Sequence, residues 1–395
     1  MLDWLIIGGG IHGTHLSMQL TREAGRRRDR VRVLDPHPVP LAAWTRRALN
    51  VGMRYLRSPA PYHLDTDPMA LQYFASETPD LRSQAFLEPY RRPSLALFSA
   101  HAGRVIEKHG LQQLRIQDAA QDLRLKPNHV EVETRAGVIA ARRVVLATGG
   151  CEACVWPAWA RTLRESGVSV RHVFEPNFQR HGIKDWQHLV VIGGGISAHQ
   201  LALALANQRP GKVTLILRHA PRVHLLDSDP GWSTPRLLAP FRKLRDPILR
   251  RKAIREARRP GSVPEDVLTA IDTAERQGIL QRVTTDIVSA ARFGDQAVLQ
   301  GANGATLCAD QILLATGFSG RRPGATWLDA FISREELPLA PCGYPIVDTE
   351  LRWHPRIQVM GPFAELEIGP IARNIVGAQH AAWRILDSHS ALESL

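Results

Sequence analysis

The sequence predicts an α/β chain with two Rossmann-like dinucleotide-binding domains, the second inserted into a discontinuous first. Three observations predict it. LIIGGGIHGTHLSMQL at Leu5–Leu20 returns as VVIGGGISAHQLALAL at Val190–Leu205. Each half later closes on Ala-Thr-Gly, in HVEVETRAGVIAARRVVLATGG at His129–Gly150 and QAVLQGANGATLCADQILLATGF at Gln296–Phe318. The second strand of each half ends in a residue able to read a ribose, Asp35 in VRVLDP and Arg218 in VTLILRHA. Duplication explains this shared order better than chance.

In the first half an apolar, β-branched run stops at glycines and restarts as a helix-compatible stretch, the pattern of a buried parallel strand turning into a helix. Gly8, Gly10 and Gly13 form GxGxxG. The first allows the tight turn, the second removes a Cβ that would occupy diphosphate space, and the third lets helix and strand pack closely. Phosphates then sit on the free N–H groups at the helix start. Asp35 follows Gly13 by 22 positions, where a carboxylate accepts hydrogen bonds from both ribose hydroxyls. That favours an unphosphorylated ribose, as in FAD or NAD. His129–Gly150 reads as a strand, an Ala-Gly turn, a strand and a buried strand, making Thr148 and Gly149 candidates for cofactor contact.

In the second half Gly193, Gly195 and Ala198 form GxGxxA around Ser197. Arg218 follows Ala198 by 20 positions. A guanidinium there matches a 2′-phosphate by charge and bidentate geometry, which favours NADP(H); the alternative is one more surface arginine. The hairpin of this half turns at Asn-Gly and leads to Thr316 and Gly317.

The chain has 395 residues, 44% of them apolar, enough for two or three globular domains. The N-terminal apolar run is too short for a secretory signal, and no run approaches the ~20 apolar residues of a membrane span. Four cysteines make no disulfide framework and fit a reducing cytoplasm. The net charge of +12 concentrates at Arg22–Arg32, which includes Arg26, Arg27 and Arg28, and at Arg242–Arg259 with nine basic residues. The second segment carries Asp246 and Glu256 and no aromatics, so it reads as a solvated helical face rather than a nucleic-acid surface. The overall field favours an anionic cofactor. Self-association is left open.

On these residues the chain resembles the two-dinucleotide-domain flavoproteins: flavin-containing monooxygenases, ornithine and lysine N-hydroxylases, and thioredoxin reductases. The resemblance implies an FAD domain over 1–151 and 310–395, with an NADP domain over 188–309 between them. DQILLATGF at Asp310–Phe318 is similar to the D-x3-(L/F)-A-T-G motif of N-hydroxylating enzymes. The segment from Trp44 through Met53 to Phe74, with LRSP at Leu56–Pro59 and DTDP at Asp65–Pro68, is similar to the stretch that lies against the flavin and its access channel. GGGISA resembles their second nucleotide turn. Near the C-terminus VMGPFAELEIGPIARNI has Gly361-Pro362 where reductases have Gly-Asp, and Gly369–Asn374 is placed to open the last helix toward the flavin.

The resemblance implies a monooxygenase: NADPH reduces FAD, O2 adds at flavin C4a, and the hydroperoxide oxygen passes to an amine nitrogen, or to a sulfur, of a small molecule. Arg57 and His63 are the side-chain candidates for catalysis. The rival is an NADPH-dependent disulfide reductase using Cys151 and Cys154 of CEAC, although Val155-Trp156 follows where reductases have Asp. A third reading is a nucleotide-binding protein without turnover. His12, His15 and His199, on the two first helices, read as packing or capping residues, and the Cys and His spacing suggests no metal site.

Overall fold

In the computed structural model of the chain, which describes residues 1–22, 27–150 and 153–390, the run Leu2–Ile7 forms strand β1. Its last four residues are buried, as a parallel strand covered on both faces requires. Helix α1 (Ile11–Arg22) follows the glycine turn and leads to β2 (Val31–Leu34), parallel to β1 from Trp4↔Val31 to Ile7↔Leu34. After α2 (Ala42–Asn50) and α3 (Leu95–Lys108) come β3 (Arg115–Ile116), β4 (Asp122–Leu125), β5 (Val130–Thr134) and β6 (Gly137–Leu146). The expected hairpin arm and the buried Ala-Thr-Gly strand are one continuous strand here, β6, parallel to β1 with Ile7 opposite Leu146.

The second unit runs through β7 (Ser169–His172), β8 (Leu189–Ile192), α4 (Ile196–Ala206) and β9 (Val213–Leu217). It continues with α5 (Pro235–Lys243), α6 (Pro247–Ala257), α7 (Glu265–Arg276) and β10 (Leu280–Thr284). The antiparallel strands β11 (Ile287–Phe293), β12 (Gln296–Gly301) and β13 (Thr306–Ala309) lead into β14 (Gln311–Leu314). Its parallel sheet has the order β10-β9-β8-β14-β7. The chain then returns through α8 (Ala325–Arg334), β15 (Arg352–His354), β16 (Ile357–Val359) and α9 (Ile375–Ser390). β16 adds to β6, so the first sheet reads β15-β16-β6-β1-β2-β3, with β5 and β4 branching from β6.

This topology corrects the expected limits of the inserted unit. Both β7, before position 188, and β14, after position 309, lie in the second sheet. All four residues of β14 are buried, and Ile192 stands opposite Leu314 as Ile7 stands opposite Leu146. The duplication therefore holds down to register, and it puts the Ala-Thr-Gly strand in its own half.

The two connections between the units run side by side. Val155 N–H donates to Gly317 O at 3.0 Å, Ser319 N–H to Ala153 O at 2.8 Å, and Cys154 stands antiparallel to Phe318. Cys151 and Arg26 lie outside the described residues. The Arg242–Arg259 segment is only partly the solvated face expected. Arg250 and Arg251 are 15% and 12% exposed and form ion pairs with Glu367 and Glu365. No helix of the described residues is long and apolar enough to cross a membrane.

Candidate active site

The two glycine turns are built alike. Gly8 has φ 115°, and a Cβ there would stand 2.7 Å from Ala147 O at the end of β6. Gly193, at φ 154°, stands in the same relation to Ala315 O after β14. A side chain at Gly13 would run into Gly8 O, so this glycine sets how closely α1 meets the turn, and Ala198 is fully buried at the matching place. Gly10 differs in kind. No atom lies within 4 Å of where its Cβ would be. That open space is the room a diphosphate needs. A Cβ at Gly195 would stand 3.5 Å from Gly261 Cα, so the second turn is overlaid by the loop that follows α6.

A cavity of about 850 Å3 opens over the first turn. Gly8, Gly10, Asp35, Trp44, Met53, Arg57, Thr148 and Gly149 line it. Ile196, the first residue of α4, reaches it from the second unit, and Phe318 from the crossover between the units. Thr148, which lines the cavity, carries a buried hydroxyl oxygen without a hydrogen-bond partner, an unmet donor and acceptor. Gly193, Gly195, Ser197, Ala198, Arg218, Thr316 and Gly317 lie outside this wall.

Asp35 is more committed than the sequence suggested. Its Oδ2 accepts from Gly9 N–H at 2.6 Å, and Oδ1 accepts from His37 N–H at 2.9 Å and Arg115 Nη2 at 3.2 Å. A carboxylate offers about four lone-pair sites. One remains, so Asp35 can take one ribose hydroxyl directly rather than two. Arg115 is the residue sequence reasoning missed here. It enters from β3, beside β2, and its Nε and Nη1 are buried without partners.

Arg57 is a clamp rather than a catalytic group. Its Nε donates to Leu225 O at 2.9 Å, and its Nη2 donates to His224 O at 2.8 Å and Ser262 Oγ at 3.1 Å. It thereby ties the first unit to the segment of the second that roofs the cavity. Arg92 to Asp266, at 2.7 Å, and Tyr62 OH to Ser233 Oγ, at 2.9 Å, cross the same boundary. His63 is fully buried and absent from the cavity wall. Its ring centroid lies 4.9 Å from that of His101, and its Nδ1 accepts from Asp65 N–H at 3.2 Å. Burial lowers its pKa, so it is a neutral packing residue.

Thr316 and Gly317 serve the crossover, with Thr316 Oγ1 donating to Val155 O at 2.5 Å. Asp310 accepts from the backbone N–H groups of Gln187 and His188, fixing the entrance to β8. Gly369, at φ 91°, bends the chain against Phe241 rather than facing the cavity. The last helix does open onto the cavity. Asn374 O accepts from Ala378 N–H at 3.2 Å, and Asn374, Ile375 and Val376 line the wall.

Behind that wall lies a charge network the sequence signalled only through two carboxylates in an apolar stretch. Glu365, 1% exposed, takes Arg251 and Arg373, and Arg373 Nη2 donates to the Tyr344 hydroxyl at 2.8 Å. Glu367 takes Arg250 and Arg384. Each buried carboxylate thus has two guanidinium partners, the condition under which such burial is tolerated. Arg258 and Asp227, 3.8 Å apart, complete the polar wall with Asn374, whose amide donates to Asp227 Oδ1 at 3.2 Å.

Arg218 lies exposed just beyond β9, and the next residue, His219, approaches Gly194 of the second turn. The position fits an arginine that borders a nucleotide on the second turn.

Residues 5–151 match the FAD-NAD(P)-binding family. No curated protein matches the sequence. Among solved structures, an ornithine N-hydroxylase from Kutzneria sp. 744 superposes over 100% of both chains with a TM-score of 0.78 at 15% identity. An ornithine hydroxylase from Pseudomonas aeruginosa superposes over 98% of both chains with a TM-score of 0.76 at 18% identity. L-lysine 6-monooxygenase from Pseudomonas syringae superposes over 99% of both, with a TM-score of 0.72 at 19% identity. Over its whole length the chain therefore has the fold of the N-hydroxylating flavin monooxygenases.

Proposed function

We propose that the chain is an FAD- and NADPH-dependent monooxygenase that hydroxylates the amine nitrogen, or a sulfur, of a small molecule with O2. One observation carries this reading. The two glycine turns belong to different sheets, yet the helix after each reaches the same cavity, through Gly10 and Ile11 on one side and Ile196 on the other. A resident and a visiting dinucleotide would converge there, with the unit spanning 169–314 receiving the nicotinamide nucleotide. The Kutzneria relative in fold was solved with reduced FAD, NADP+ and L-ornithine.

In this reading Gly10 leaves the diphosphate its space, Asp35 takes a ribose hydroxyl and Thr148 bonds the cofactor with its open hydroxyl. FAD, when bound, supplies the oxygen-activating chemistry. The chain's part is positioning and exclusion of water. Arg57 holds the roof segment in place, and Leu226, Pro230, Trp44 and Met53 present apolar surface to the cavity. NADPH as reductant goes with a cytoplasmic setting.

The disulfide reductase reading has less support. Cys154 sits in the crossover opposite Phe318 and is absent from the cavity wall. The test is NADPH consumption by the FAD-loaded protein against a panel of primary amines, diamines and thioethers, with hydroxylated product assayed alongside hydrogen peroxide. Coupled product from one class supports the reading. Peroxide alone throughout, or reduction of disulfides, overturns it.

A further inference from the structure

His12 stands in the first turn of α1, two positions past the open Gly10, and lines the cavity. Its Nε2 lies 2.9 Å from Ala372 O. A carbonyl oxygen only accepts, so the ring proton is on Nε2 and Nδ1 is a bare lone pair. Among the described residues Nδ1 has no hydrogen-bond partner. Burial lowers the pKa to about 4, which keeps the ring neutral and Nδ1 an acceptor. The imidazole is only half-buried by surface area because it faces the cavity.

Resting on the FAD reading, we propose that His12 Nδ1 accepts a hydrogen bond from a hydroxyl of the polyol chain that joins the flavin ring to the diphosphate. The partner must be a donor. A diphosphate oxygen is an acceptor, and set against a bare lone pair it would repel. The adenosine ribose belongs to the Asp35 side of the glycine turn, whereas His12 faces Ala372 and Gly361, where a Cβ would stand 3.6 Å from its ring. The hydroxyls left are those of the polyol. The next residue, Pro362, which stands where reductases have Asp, has no polar side-chain atom. His12 supplies an acceptor from the opposite wall.

The test is the affinity of the apoprotein for FAD and for FAD analogues lacking one polyol hydroxyl each, read by quenching of flavin fluorescence. In the unaltered protein one deoxy analogue should bind about tenfold more weakly than FAD, the effect of one neutral hydrogen bond. In His12→Phe, FAD itself should weaken about tenfold, and that same analogue should lose its disadvantage, a coupling that a packing role would not produce. His12→Asn, which keeps an acceptor at the Nδ1 position, should retain the discrimination. If the unaltered protein binds FAD tightly and every analogue equally well, the proposal fails while the FAD reading stands. If it binds no FAD, both fail.

Discussion

Arg115 Nη2 lies 3.2 Å from Asp35 Oδ1, with the two side chains 4% and 13% exposed. The pair joins β3 to the end of β2 and aims the carboxylate at the turn through Gly9. Arg115→Met removes one partner and leaves a largely buried carboxylate with two backbone donors. We expect a loss of about 3 kcal/mol in stability by urea denaturation, together with weaker FAD uptake. A stability within about 0.5 kcal/mol of the unaltered protein, the range of ordinary surface changes, would mean that the pair contributes nothing.

Gly10 and Gly13 belong to the same fingerprint but should fail differently. A side chain at Gly10 meets no protein atom within 4 Å, whereas one at Gly13 meets Gly8 O. Gly10→Val should keep its circular dichroism and thermal midpoint as apoprotein and lose FAD binding. Gly13→Val should lose the fold. If Gly10→Val still binds FAD with unchanged affinity, the diphosphate does not cross this turn.

The protein should lose stability steeply as pH falls from about 6.5 to about 4. His12, His15, His101 and His172 each have a pKa lowered from 6.5 to about 4, with burial the leading cause. In that window the unfolded chain binds these protons and the folded chain does not. Stability therefore rises with pH, is complete above the unfolded value and is lost on acidification. Each histidine adds at most about 1.4 kcal/mol per pH unit. Urea midpoints between pH 7.5 and 4.5 would show the slope, and His172→Leu should flatten it by one proton. A slope unchanged in that variant would place His172 outside the effect.

Local chemistry made the repeat legible. A glycine turn, an apolar strand and an Ala-Thr-Gly close each announce themselves within a few residues, and the structure brings the turn at Gly8 against the end of β6 at Ala147. Long-range partnerships were not legible. Nothing near Asp35 in sequence announces Arg115, 80 positions on, and nothing in LRSP says that Arg57 will grip carbonyls at 224 and 225. His63 was a candidate for catalysis between LRSP and DTDP, yet it packs beside His101 of α3, a partner 38 positions on. The limit at 309 came from resemblance. The repeat itself, carried one strand further, would have put β14 in the second sheet.

Arg218 is the residue we propose to set which nicotinamide nucleotide the second unit reads. β9 is buried along all five residues, and Arg218 emerges exposed just past its end, next to His219, which borders the glycine turn at Gly194. A nucleotide on that turn would bring its ribose to this strand end. There a guanidinium gains a charge-assisted contact with a 2′-phosphate, worth about 1.5–3 kcal/mol, and gains nothing from a bare hydroxyl. Arg218→Ala should therefore weaken 2′,5′-ADP relative to 5′-AMP by roughly ten- to a hundredfold in calorimetric titration of the FAD-loaded protein. The NADPH preference in flavin reduction should fall by a similar factor. The exposed site predicts that folding stability stays within about 0.5 kcal/mol, so the binding loss cannot be put down to misfolding. An unaltered ratio of the two nucleotides would return Arg218 to the ordinary surface and leave the choice of nucleotide to another residue.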